Sequence, residues 1–155
     1  WELMKLSRKF VSDYIDLPDK DIKQIAEDMT RIGNEYDSCG KLIPATNLVI
    51  GEVITCEKHP DSDHLNVCTV DIGGELLNIV CGSFNAKVGL KVVVATENCF
   101  MPSGKQIIPG EVMGVFSEGM LCSGRELNID GYENKKGLYI LDDSYNVGDD
   151  FYTLY

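Results

Sequence analysis

"GEVITCEKHPDSDHLNVCTVDIGG", residues 51–74, places two strand-like apolar runs on either side of a loop rich in Pro, Asp and Ser. In the first run Ile50, Glu52 and Ile54 fall on one side and Val49, Gly51 and Val53 on the other. "LNVCTVDI" alternates in the same way, and Gly73-Gly74 is a hairpin turn signal. The stretch also holds both histidines of the chain and two of its six cysteines. Cys56, His59, His64 and Cys68 are spaced C-x2-H-x4-H-x3-C, and thiolate with imidazole is the ligand chemistry of a small zinc site. Against zinc, Cys56 and Cys68 lie in the strands flanking the loop, and Cys68 shares a face with Val70 and Ile72. Buried strand cysteines are therefore preferred to metal ligands.

Working outward, "ELLNIVCG", "KVVVATE" and "KQIIPGEVMG" read as further strands, "EGMLCS" as a short one and "GRELNI" as a short helix or turn. Leu138 to Leu141 form an apolar strand before an acidic end. Short strands, close turns and many glycines indicate a small β-barrel. Gly51 inside a strand suits a sharp barrel bend. Upstream the period changes. "LMKL", residues 3–6, reads as a short strand. In "SRKFVSDYI" Ser7 is a plausible N-cap, and Phe10, Val11, Tyr14 and Ile15 share a helical face. In "LPDKDIKQIAEDMTRIG" the helix opens at Pro18 and Asp19, Ile22, Ile25, Ala26, Met29 and Ile32 recur at helical spacing, and Gly33 fits a C-cap. "CGKLIPATN" links the two regions.

The 155 residues are enough for one real core with a small appendage. Apolar content of 44% and charged content of 25% are those of a soluble globular protein. No apolar run reaches the length of a membrane span, and no charged-then-apolar leader precedes the rest. The chain opens on Trp1 rather than Met, as a fragment does. Evenly scattered cysteines without a CxxC pair are expected to be reduced thiols in a cytoplasmic protein. The net charge is −11, distributed as −2 over residues 1–47, −5 over 48–126 and −4 over 127–155. With no basic segment, strong non-specific phosphate binding is not expected.

There is no GxxxxGK[ST] loop and no GxGxxG after a strand. Asp61, Asp63 and His64 are close in sequence but occupy a turn in which Asp and Ser bond their own backbone. A catalytic site on these residues is not expected.

Two loops resemble a known family. His59, Pro60, Asp61, Ser62, Asp63, His64 and Leu65 resemble the His-Pro, Asn/Asp, small, Asp, basic, Leu signature of the tRNA-binding OB-fold domain found in several synthetases and accessory proteins. Ser117, Glu118, Gly119 and Met120 match that family's Ser-Glu-Gly-Met loop. "LCS", "REL" and "IVCGSFNAKVG" at 79–89 are similar to one branch, the β subunit of bacterial phenylalanine–tRNA ligase, with Ser83 and Phe84 where that branch has Ala-Pro. "SRKFVSDYIDLP" and "MTRIGNEYDS" resemble that subunit's opening.

The resemblance implies a mainly β chain: a five-stranded OB barrel at 46–140, a small N-terminal α+β segment at 1–45 belonging to a split domain, and a return segment at 141–155. It implies an auxiliary tRNA-binding module of an ATP- and Mg²⁺-dependent ligase. The partners implied are phenylalanine tRNA and an α subunit, in a heterotetramer of two α and two β. Synthesis belongs to the α subunit and editing to a later part of β, so no catalytic residue, metal or cofactor is expected on these residues. Two departures thin the basic face: His64 stands where Lys or Arg is usual, and Met113 where an arginine commonly precedes Gly114. The RNA-contact residues implied are Lys58, His64, Phe84, Asn85, Lys87, Lys91, Lys105, Ser117, Ser123 and Arg125, with Phe84 and Phe100 the aromatics available for stacking. The alternatives are a scaffolding domain of the synthetase without RNA affinity, motivated by the acidic balance, and a free-standing homodimeric tRNA-binding protein.

Overall fold

The computed structural model describes residues 6–39 and 47–151. The chain divides into two compact units, Trp1–Lys41 and Leu42–Tyr155.

The first unit carries two helices. Ser7 caps α1 (Arg8–Ser12), its side chain accepting from the Phe10 N–H at 3.0 Å. Helix α2 runs over Ile22–Arg31, starting three residues later than Asp19 because Asp21 takes the N-cap position with extended backbone. At its other end Gly33 N–H bonds Thr30 O at 3.0 Å and Asn34 N–H bonds Met29 O at 2.9 Å. That paired closure needs a left-handed residue, and Gly33 has φ +98°. Lys20 and Arg31 both pair with Asp28. Ala26 is the buried apolar residue of this unit among those described. Apart from Leu6, the strand expected at residues 3–6 lies outside the described residues.

The second unit is a nearly closed five-stranded antiparallel barrel. β1 (Leu48–Lys58) pairs with β2 (Asn66–Asp71) and β2 with β3 (Leu76–Cys81). On the other side β1 pairs with β4 (Lys91–Ala95). β5 (Gly110–Val112) and β6 (Val115–Ser117) make a separate hairpin, and β7 (Met120–Leu121) returns to β4. β8 (Ile140–Leu141) also pairs with β4. The strand order is therefore β3-β2-β1-β4-β7.

β1 serves two partners because it is long and interrupted. Its register shifts between Val53 and Thr55, leaving Ile54 as the extra residue. Before the shift Gly51 and Val53 face the barrel interior; after it Cys56 does, opposite Cys68. At Gly51 a Cβ would lie 2.7 Å from both Val70 Cγ1 and Val94 Cγ2, so two strands approach across a position with no side chain.

Two cores share β1 and β4. The barrel interior contains Val53, Cys68, Val70, Ile79, Val92, Val94 and Leu121. Leu48, Ile50, Val93 and Ala95 point the other way, into a second core with Cys99, Met101, Ile107, Leu127, Leu141 and Phe151. The uninterrupted "VVVA" of β4 reflects burial on both faces. Residues 141–151 pack on this outer core: Gly148 N–H bonds Ile50 O at 2.8 Å, Ile50 N–H bonds Asp149 O at 3.0 Å, and Phe151 is fully buried.

Candidate nucleic-acid interface

The His-Pro loop between β1 and β2 is built on His59, which is buried. Its Nδ1 accepts the Asp61 N–H at 3.0 Å, so the ring proton sits on Nε2 and is donated to Val112 O at 3.1 Å. Both nitrogens are thus engaged by backbone. His59 fastens its own loop to the tip of the β5–β6 hairpin, 53 residues away. His59 N–H also bonds Leu65 O at 2.9 Å, and Ser62 Oγ accepts from the Leu65 and His64 N–H groups at 3.3 and 3.4 Å. Pro60, Asp61, Asp63 and His64 are exposed and Leu65 is half-buried.

The C-x2-H-x4-H-x3-C spacing does not deliver His59 as a free ligand, since backbone groups engage both of its ring nitrogens. Cys56 and Cys68 are cross-strand partners with Sγ atoms 3.6 Å apart. Burial first, then the neighbouring Cys56, pushes the Cys68 thiol up to about 12. Among the described residues no group of three or more His, Cys, Asp or Glu is placed to hold a metal ion.

The Ser-Glu-Gly-Met loop closes the barrel. Ser117 is buried; its Oγ accepts the Val80 N–H at 3.0 Å and donates to Gly119 O at 3.1 Å. The Glu118 carboxylate accepts the Asn78 N–H at 2.8 Å while the Glu118 N–H donates to Asn78 O at 2.8 Å. The Asn78 side chain donates to Phe116 O at 2.9 Å. A short stretch of β6–β7 thereby supplies the partners that β3, at the sheet edge, lacks. Gly119 is required where the loop crosses β4: a Cβ there would lie 2.6 Å from Ala95 O. Met120 then pairs with Ala95.

Four of the residues expected at an RNA face have structural partners. Ser117 is one. Asn85 accepts from Leu138 N–H at 2.8 Å and donates to Leu138 O at 3.2 Å. Lys91 donates to the carbonyls of Tyr145 at 2.6 Å and Asp143 at 3.0 Å, holding the 142–146 segment. Ser123 forms a reciprocal cap with Glu126: its N–H and Oγ each donate to Glu126 Oε2 at 2.8 Å, and its Oγ accepts the Glu126 N–H at 3.2 Å.

The other six are exposed. Lys58 and His64 flank the His-Pro loop. Phe84, 78% exposed, and Lys87 lie on the β3–β4 connection; Phe100 is also exposed, at 49%. Lys105 and Arg125 come together along one groove of about 430 Å³, lined also by Met101, Pro102, Ser103, Met120, Glu126 and Asn128. Sequence reading missed Met101, Pro102, Ser103 and Asn128 of this groove and named Met120 only as part of the Ser-Glu-Gly-Met loop. Its signals were the "PSG" turn, with Gly104 at φ +86°, and Asn128 at φ +57°, both punctuating tight loops.

This barrel, with its fastened His-Pro loop and its Ser-Glu-Gly closure, coincides with a known domain: the profile described as "Putative tRNA binding domain" matches residues 48–150. The chain belongs to this family. Beyond the tRNA-binding domain itself, it is 37% identical over 150 residues to the phenylalanine–tRNA ligase β subunit of Sulfurimonas denitrificans, covering 95% of this chain and 19% of that protein. It is 42% identical over 130 residues to a putative tRNA-binding protein, YtpR, of Bacillus subtilis, covering 84% of this chain and 64% of that one. A MetRS related protein from Pyrococcus horikoshii, a solved structure, matches with a TM-score of 0.49 and 24% identity, over 65% of this chain and 84% of that one. The chain thus spans about a fifth of the length of the β subunits it matches. Among the described residues no helix is long and apolar enough to cross a membrane.

Proposed function

We propose that this chain is the tRNA-binding module of a phenylalanine–tRNA ligase β subunit, auxiliary to aminoacylation and without an active site of its own. The observation that carries the reading is the reach of the β-subunit match. It covers 95% of the chain and so continues through the helical unit, beyond the tRNA-binding domain at 48–150. The partners are then phenylalanine tRNA and an α subunit, in a heterotetramer of two α and two β, in the cytoplasm. ATP and Mg²⁺ serve the ligation at residues outside this chain.

Small barrels of this type hold single strands through a basic groove and stacking platforms. Of the residues expected at the RNA face, Lys58, Lys87, Lys105 and Arg125 are exposed cations, in a chain of net charge −11. Contact with tRNA is accordingly weak and local. If these four cations each meet one phosphate of an unpaired segment, the slope of log K against log salt is about −3.

A second reading is favoured by the YtpR match, which covers 64% of that protein: a free-standing tRNA-binding protein. Titration of phenylalanine tRNA with the chain at several salt concentrations, with affinity purification of the native protein from its source cells, tests both. Salt-dependent binding and co-purification of the α subunit support the first reading. Binding without the α subunit supports the second. Absence of tRNA binding at low salt, with the α subunit retained, leaves a scaffolding role.

A further inference from the structure

The groove shared by Lys105 and Arg125 is open to solvent and has two fastened walls. One wall is the 98–107 loop, where Met101 N–H bonds Lys105 O and Gly104 N–H bonds Met101 O, both at 2.8 Å, and Ile107 is anchored in the outer core. The other wall is the 123–129 segment, closed by Leu127 N–H to Ser123 O at 3.1 Å and Ile129 N–H to Gly124 O at 2.9 Å, with Leu127 and Ile129 buried. Both cations are therefore mounted on fastened loops whose apolar residues sit in one core.

The two cations outnumber the groove's one carboxylate. Neither Lys105 nor Arg125 forms an ion pair among the described residues. The one carboxylate lining the groove, Glu126, is held by the N–H and hydroxyl of Ser123. The groove carries a net charge of +1 in a chain of −11. A guanidinium and an ammonium lining one groove, with the neighbouring carboxylate bonded to Ser123, are chemistry for a phosphate. The remaining lining suits the other parts of a nucleotide. Met120 and Pro102 offer apolar, polarizable surface to a base face, and Ser103 and Asn128 offer neutral hydrogen-bonding groups.

Size restricts the occupant further. A volume of 430 Å³ lies low in the range of about 300–1,000 Å³ typical of small-molecule sites. It admits a single nucleotide unit, and laying a base face on Met120 and Pro102 requires a base unstacked from a helix. We infer that this groove seats one phosphate-bearing nucleotide of a single-stranded RNA segment, with Arg125 and Lys105 on the phosphate. The inference rests on the RNA-binding reading above and names the site at which it acts.

The test compares the whole chain, the double variant Lys105→Ala/Arg125→Ala, and a charge-matched control, Lys23→Ala/Lys136→Ala. The probes are an eight-nucleotide oligouridylate and a blunt RNA duplex of eight base pairs, each titrated at several salt concentrations. Thermal unfolding of all three proteins verifies folding, since the groove cations have no ion pair to lose among the described residues. The expected result is preference of the chain for the single strand. The groove variant loses about tenfold or more in affinity, and its salt slope falls by about 0.7 for the phosphate released, while the control retains both. Equal effects of groove and control variants, with the chain itself binding, overturn the inference and leave the RNA-binding reading intact. Equal or tighter binding of the duplex overturns the single-strand assignment. Failure of the unmodified chain to bind either RNA at low salt overturns the RNA-binding reading and this site with it.

Discussion

Replacing Ser117 with alanine removes one hydroxyl and opens the seam that closes the barrel. The Val80 N–H then has no acceptor and Gly119 O no donor, each having had a bond of 3.0 or 3.1 Å to a buried oxygen. An unsatisfied buried polar group costs about 1–3 kcal/mol, and Val80 and Gly119 are half-buried, so the lower half of that range applies. The expected loss is about 2–4 kcal/mol in all, and at about 2–4 °C per kcal/mol for a chain of this size the midpoint falls by about 4–16 °C. The assay is thermal unfolding followed by circular dichroism, with amide hydrogen exchange read at Val80. Exchange at Val80 should accelerate while that of Ile79, within the β2–β3 ladder, follows global stability. Because Ser117 has no free face, tRNA affinity measured well below the midpoint should be unchanged. A variant within about 0.5 kcal/mol of the parent, with Val80 protection intact, would refute the closure argument. So would a selective loss of RNA affinity in a variant of unchanged stability.

Phe151→Ala, which empties a fully buried position in the outer core beside Tyr139, should cost about 3–5 kcal/mol in urea unfolding; a surface-like cost would show that the 141–151 segment is not part of the barrel. Asp71 accepts the Gly74 and Gly73 N–H groups at 3.0 and 2.9 Å, which lowers its carboxyl below the ordinary 3.8. The stabilisation it brings is therefore complete above the ordinary value and is lost as pH falls through the lowered folded value; an NMR titration of Asp71 with its inflection at or above 3.8 would contradict this. Burial raises the thiols of Cys68, Cys81 and Cys122, and Cys99 is buried with them, so iodoacetamide at mildly alkaline pH should modify half-buried Cys39 and Cys56 first, with the four buried thiols reacting only on unfolding. Rapid native modification of Cys122 would count against the packing described.

The parts of this fold that were legible in the sequence are those set by local chemistry. The alternation in "LNVCTVDI", the Gly73-Gly74 turn and the Ser7 cap each depend on neighbours a few residues away. The apolar run "KVVVA" announced a strand without saying that its second face would be covered by residues 99–107, 127–132 and 141–151, because that cover is assembled from distant turns with no period of their own. The Ser-Glu-Gly-Met loop was recognisable as a pattern, yet its work of supplying partners to Asn78 and Val80 is a contact across nearly 40 residues. The same limit applies to the site. In sequence Lys91 and Asn85 are as polar as Lys105 and Arg125, and only the fold shows that the first pair is engaged by the carbonyls of Tyr145 and Leu138. Lys105 and Arg125, 20 residues apart in the sequence, share a groove because the 98–107 loop and the 123–129 turns pack on one core.

The central claim is that family motifs build the barrel while a few exposed cations meet RNA. Mapping amide shifts of the isotope-labelled chain on addition of phenylalanine tRNA tests it most directly. The account predicts saturable perturbations centred on residues 101–106 and 123–128, weakening as salt is raised, with the amides of Asp61, Val80 and Glu118 unmoved. Perturbations centred on the His-Pro and Ser-Glu-Gly loops, with the groove silent, would contradict it.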